Sequence, residues 1–294
     1  MEPQIKKPNL TPLAIIAAGV IIAGGLIYND AEISPIENKV LPIAEAEEAV
    51  IPSGGVILPV SWGNLGQQLV KAGVIDEAKL QSIYGPRGGL TNENKKLLLG
   101  QNDGKLKITR ENSAYLLNLL WALGLANRNP ILDSGEMVDE TYGGAGNFAS
   151  TGGWTLAKGE PMDHYSKHRF ITLTLEQQAL IDKVSRGIYR PCCGNSTHFP
   201  DCNHGMAMLG LLELAASQGA GEKEMYQMAL TVNSYWFPDT YLTIASYLKN
   251  KGVDWGKVSP SEMLGADYSS GSGYAKIRSQ VEGPARKTNG SCGV

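Results

Sequence analysis

Hydrophobic and polar positions divide the chain into one uninterrupted apolar block and a series of short amphipathic stretches. The block is residues 10–28, LTPLAIIAAGVIIAGGLIY, nineteen positions without a charge. As a helix it covers about 28 Å, close to the depth of one hydrocarbon core. Downstream, residues 65–84 repeat apolar positions at helical spacing with a break at Gly73. Residues 109–124 place Tyr115, Leu116, Leu119, Leu120 and Leu123 on an apolar face, with Thr109 as the expected cap and Gly124 as the expected end. Thr174 with Gln177 is a capping-box pair that opens a helix stopping at Gly187. Asn203 is the expected cap of a helix through Gln218. Residues 222–236 and 239–250 predict two more, split at Pro238, and Ser259, Pro260 and Glu262 predict a short one. Strand patterning is thin, at residues 105–108 and 170–173. No internal repeat is present. The expected architecture is mainly α: a single helical domain with long Gly-rich loops, preceded by one transmembrane helix.

Charge gives the apolar block an orientation. Lys6 and Lys7 precede it, while Asp30 and Glu32 follow it. The basic side stays cytoplasmic. Residues 1–9 then form a cytoplasmic tail, residues 10–28 a membrane anchor, and the remainder lies outside the cell membrane. A cleaved signal peptide is the competing reading, and it sends the domain to the same side; no clean A-x-A site follows the block. Residues 29–57 carry Pro35, Pro42, Pro52 and the acidic Glu45, Glu47 and Glu48, and read as an acidic linker. The expected folded domain is residues 58–294.

Composition narrows the function. The net charge is −3, so no basic excess exists to neutralise a phosphate backbone, and nucleic-acid binding is disfavoured. Glycine is abundant, 35 of 294 residues, which agrees with long loops. One such loop is residues 142–154, YGGAGNFASTGGW. It lacks a preceding strand and a Gly-Lys-Ser/Thr ending, so it is expected to be an ordered loop rather than a phosphate cradle. The same holds for YSSGSGY at residues 268–274.

The chemistry is concentrated in residues 191–208, PCCGNSTHFPDCNHGMAM. Cys192, Cys193, His198, Cys202, His204 and Met206 supply thiolate, imidazole and thioether donors, which suit soft or borderline metal ions such as copper and zinc. Cys202 adjoins an expected helix N-terminus, whose partial charge favours thiolate. His164 and His168, four apart, are a second pair of imidazoles. Cys292 stands in the polar tail GPARKTNGSCGV and makes sense if that tail returns to the cluster, as a further ligand or a disulfide partner. Two other readings of the cysteines stay open. An extracytoplasmic domain with four Cys favours disulfides, pairing each of Cys192 and Cys193 with one of Cys202 and Cys292. A reactive thiol is the other, with Cys193 or Cys202 as nucleophile and His198 or His204 as base.

The run YRPCCGNSTHFPDCNHGMAM, followed by LGLLELAASQG and later by YSSGSGY and SCG, resembles uncharacterised, N-terminally membrane-anchored proteins of bacteria and archaea with a Pro-Cys-Cys-Gly-Asn … Phe-Pro-Asp-Cys-Asn-His-Gly-Met signature. A looser similarity is to lipoproteins with a Pro-Cys-Tyr-Cys-Gly-Cys motif, which look like metal binders. The chain departs from that motif in having Cys192 and Cys193 adjacent and no third motif Cys. The sequence thus predicts a membrane-anchored, extracytoplasmic copper- or zinc-binding protein, with a thiol-dependent enzyme and a disulfide-tied envelope module as alternatives.

Overall fold

The computed structural model describes residues 43–281. The expected anchor at residues 10–28, the first part of the expected linker and the Cys292 tail lie outside the described residues. No helix among the described residues is long and apolar enough to cross a membrane.

The described chain is mainly helical, with thirteen α-helices and one two-stranded sheet. It begins with α1 (Ile43–Val50) and β1 (Val56–Gly63). Val50 and Ile51 are buried, so residues 43–57 belong to the folded unit rather than to a linker. β1 sends Leu58, Val60 and Trp62 inward and alternates them with more exposed residues. This period-2 pattern is present in VILPVSW, and the expected linker boundary at residue 57 cuts through it. In a two-stranded sheet Pro59 is tolerated because each strand has a free edge. β1 pairs antiparallel with β2 (Asn102–Ile108), Val56 opposite Ile108 and Ser61 opposite Lys105. The strand expected at residues 170–173 does not form.

Between the strands come α2 (Leu65–Lys71), α3 (Glu77–Tyr84) and α4 (Asn92–Leu99). The break at Gly73 falls where expected, at φ +80°. After β2 the chain enters α5 (Ser113–Ala126), then the short α6 (Pro130–Ser134). Regular α5 begins at Ser113, and Thr109 caps the turn that leads into it: its hydroxyl accepts from the Asn112 N–H, its own N–H donates to Asn112 Oδ1, and its carbonyl accepts from the Ser113 N–H. The loop at residues 142–154 is ordered and ends on Trp154, which is buried edge-on against Trp121 and donates to the Val74 carbonyl.

The second half holds α7 (Leu175–Arg186), α8 (Asn203–Ser217), α9 (Glu222–Trp236) and α10 (Pro238–Asn250). It closes with α11 (Pro260–Met263), α12 (Ala266–Ser269) and α13 (Gly271–Arg278). The Thr174–Gln177 capping box forms as the sequence predicts, and α7 stops at Gly187. Ser259 makes no side-chain cap bond, so the expected box at α11 is absent.

The centre of the fold is the crossing of α5 and α8. Both helices are buried almost all round, which requires apolar residues on every face rather than a stripe. They approach at backbone distance. A Cβ on Gly124 would fall 2.1 Å from the Met206 carbonyl oxygen, and one on Gly210 would fall 2.3 Å from that of Leu120. Gly124 therefore does not end α5; it lets the two helices touch.

Candidate metal centre

The cysteine segment is a loop between α7 and α8 whose backbone is closed on itself. Tyr189 and Ser196 form an antiparallel bridge, and the Thr197 N–H donates to the Ile188 carbonyl. Cys192 and Cys193 sit at the tip of the enclosed turn. The segment returns through Pro200 to Cys202, which caps α8: its Sγ accepts from the Gly205 N–H at 3.4 Å. The cap is thus the cysteine itself, one residue before the expected Asn203.

This path brings three sulfurs together. Cys192 Sγ lies 3.6 Å and Cys193 Sγ 4.0 Å from Cys202 Sγ, and all three lie within 4.8 Å of one another. An ion held at about 2.3 Å from each sulfur sets sulfur–sulfur separations of about 3.8 Å in a tetrahedron and about 4.0 Å in a trigonal plane. The cluster therefore already has the dimensions of a metal site. It does not have those of a disulfide, which needs about 2.05 Å. The three described cysteines are free thiols, and the expected disulfides are not formed among them.

Under the sulfurs lies Arg190, fully buried. Its Nη2 donates to Asp201 Oδ1 at 2.8 Å, and Asn195 Nδ2 donates to Asp201 Oδ2 at 2.7 Å. The guanidinium fits because residue 205 is glycine: a Cβ there would lie 2.7 Å from Arg190 Cζ. Arg190 Nε and Nη1 find no hydrogen-bond partner. Burial alone would discourage its charge, but Cys202, Cys193 and Asp201 outweigh that and keep it cationic. Asp201 pairs one edge of the guanidinium, and the two remaining nitrogens stay buried beside the sulfurs.

The thiols divide accordingly. Hydrogen bonds from Cys192 and Cys193 hold the Cys202 thiol well below its ordinary value, with Arg190 adding to the effect. Cys192, as the donor to Cys193 and Cys202, is pushed the other way.

Among the other expected ligands, His204 Nδ1 lies 4.0 Å from Cys192 Sγ, and its ring packs against Phe237 at 4.4 Å between centroids. His204 borders the cluster. Met206, the fourth residue of α8, is wholly buried. His198 points away. Its Nδ1 meets Glu136 Oε2 at 3.0 Å, and its Nε2 meets Asp182 Oδ1 at 2.8 Å and Arg186 Nη2 at 2.7 Å. It ties the loop to α7 and to the turn after α6 instead of facing the sulfurs. Cys292 lies outside the described residues. His164 and His168 meet each other, Nδ1 to Nε2 at 3.1 Å, with their ring centroids 5.3 Å apart. The two rings share a hydrogen bond, and His164 Nε2 meets the Lys158 carbonyl at 3.0 Å. The residues that sequence reasoning missed are Arg190 and Asp201. Both stand inside the motif, and an arginine beside two cysteines was the available signal.

No protein-family model, curated protein or solved structure matches this chain.

Proposed function

We propose that the chain is a membrane-anchored, extracytoplasmic protein that binds one transition-metal ion through Cys192, Cys193 and Cys202, with His204 as the nearest further donor. The observation that carries the reading is the trio of sulfurs at metal-site spacing above a buried, unsatisfied Arg190. Charge balance favours zinc over copper(I). Three thiolates around a divalent ion leave one negative charge beside the Arg190–Asp201 pair, and around a monovalent ion they leave two, the harder charge to hold in a half-buried site. The placement outside the membrane rests on Lys6 and Lys7 before the apolar block and the acidic residues after it.

Cys292 competes with His204 for the fourth position. The Gly271 N–H at the start of α13 donates to the Cys193 carbonyl at 2.8 Å, so the helix leading to the tail begins against the loop. Twenty-one residues separate Gly271 from Cys292, ample chain for the tail to return.

Elemental analysis of the full chain, purified in reduced form, tests the proposal. The expected result is about one zinc or copper ion per chain, lost when Cys192 and Cys202 are both replaced by Ser. Absence of a stoichiometric ion after metal loading, or its full retention in the double variant, overturns the reading.

A further inference from the structure

The three sulfurs are close together but unequally reachable. Cys192 is exposed, Cys193 half-buried and Cys202 buried. A bulky reagent from solution meets Cys192 first. The nearest partner of Cys192 is Cys202, at 3.6 Å, nearer than Cys193 is to Cys202. The backbone enforces the same choice. Cys193 is held on both sides: its N–H donates to the Arg190 carbonyl at 3.3 Å, and its carbonyl accepts from the Gly271 N–H at 2.8 Å. Cys202 is fixed at the start of α8. The free side of the turn is at Gly194, where a Cβ would meet nothing within 4 Å. Bringing the Cys192 and Cys202 sulfurs to bonding distance needs a shift of about 1.5 Å. A bond between the adjacent Cys192 and Cys193 is the strained alternative.

We propose that this loop carries out thiol–disulfide exchange with small-molecule disulfides, Cys192 attacking and Cys202 resolving, and that the exchange empties the metal site; only this last clause rests on the metal-binding reading. Cys192 Sγ passes its proton to Cys202 Sγ, 3.6 Å away, as it attacks one sulfur of a disulfide RSSR, and the expelled RS⁻ then takes that proton from Cys202. The Cys202 thiolate then attacks Cys192 Sγ, and the second RS⁻ leaves and is protonated in turn. Two protein thiols are oxidised to one disulfide, and one RSSR is reduced to two RSH. Cys193 keeps its thiol. A bound ion loses two of its three sulfur ligands, and Cys193 with His204 is too small a donor set to hold it tightly.

The test uses the full chain carrying Cys292→Ser, so that every remaining thiol belongs to the loop, with oxidised glutathione as the probe and peptide mapping by mass spectrometry as the readout. The wild-type loop should lose two thiols, keep one, retain no glutathione and yield a peptide cross-linked between residues 192 and 202. Cys202→Ser should stop at one glutathione on Cys192, and Cys192→Ser should react at least about tenfold more slowly. A stable adduct on the wild-type loop, a 193–202 cross-link, or a Cys192→Ser variant reacting at the wild-type rate overturns the proposal. Zinc-loaded protein separates the two readings. Release of zinc in step with thiol loss supports both. Cross-linking in a protein that never retains zinc leaves the exchange standing and removes the metal site. Tight zinc binding with no cross-link after the ion is chelated removes the exchange and leaves the metal site.

Discussion

Helix α8 has two ends of its work in one element, and they are held by opposite means. At Gly210 its backbone touches that of α5, and nothing but apolar side chains and two helix backbones meet there. At Cys202 the same helix begins among three thiols, a buried guanidinium with two idle nitrogens and a half-buried carboxylate. The crossing is close backbone packing, whereas the cysteine loop gathers donor atoms that could hold a metal ion. Buried polar groups are nearly always satisfied in native structures. Where the protein leaves a cation short of partners beside soft donors, the missing component comes from elsewhere.

The sharpest way to break this comparison is at the crossing. Gly210→Ala forces a Cβ to within 2.3 Å of the Leu120 carbonyl, against backbone that cannot rotate away. Overpacking of this kind costs about 3 kcal/mol. Thermal unfolding should therefore fall by several degrees, whereas Gly194→Ala in the cysteine loop, with open space around it, should leave the midpoint within about a degree. Equal effects of the two would mean that the crossing is no tighter than the loop.

Ligand-linked stability sharpens the other side. A ligand that binds only the folded state stabilises it by about 2.7 kcal/mol at a hundred times its dissociation constant. Adding zinc to the reduced protein should raise the unfolding midpoint, and Cys202→Ser should remove most of that rise. Gly194→Ala should leave it intact. A zinc-induced rise that persists in Cys202→Ser would put the ion somewhere other than among these sulfurs.

Much of the molecule was legible in the sequence, and the residues that were not have a common cause. The Thr174–Gln177 box, the break at Gly73 and residues 222–236 of α9 follow local rules that need no tertiary partner. Gly124 misled because a glycine at the end of an apolar run signals a stop, while here it signals contact with a helix about eighty residues away. β1 is missed when residues 29–57 are read together as a linker, which cuts the alternating run at residues 56–62 in two. In the site, the cysteines and His204 were readable from donor type and spacing. His198 shares that donor chemistry and is separated from the cluster only by the direction in which the fold turns its ring, toward Glu136 and Asp182.

A third measurement concerns the interior of α8 itself. Glu213 is fully buried. Its Oε1 accepts from Asn129 Nδ2 at 2.6 Å, while Oε2 has no partner, and burial pushes its carboxyl up to about 8. The folded protein then holds a proton that the unfolded chain releases near the ordinary glutamate value. A group with a raised folded pKa contributes its stability fully at low pH and loses it as pH rises through the folded value. Between about pH 5 and pH 8 this group should lower stability by up to about 1.4 kcal/mol per pH unit. Glu213→Gln, which keeps the shape and the Asn129 bond acceptor, should flatten the profile in that window. An unchanged slope would show that the carboxylate is already ionised and paired in the folded state.

The smallest expected effect tests the boundary of the site. His198 belongs to the same loop as the three cysteines and carries a donor suited to the same ions, yet both ring nitrogens are engaged by Glu136 and Asp182 on the far side. Those carboxylates are about half exposed, 48% and 46%, so water screens them and the bridges contribute about 1 kcal/mol or less. His198→Ala should therefore lower the unfolding midpoint by a degree or two and leave the number of bound ions per chain unchanged. His204→Ala removes a ring 4.0 Å from Cys192 Sγ and should weaken zinc binding about tenfold or more while leaving the three sulfurs in place. The pair of variants asks whether residues act by their position in the motif or by their position in space. If His198→Ala costs the ion and His204→Ala does not, the loop closes around its metal in an arrangement different from the one described, with residue 198 turned inward.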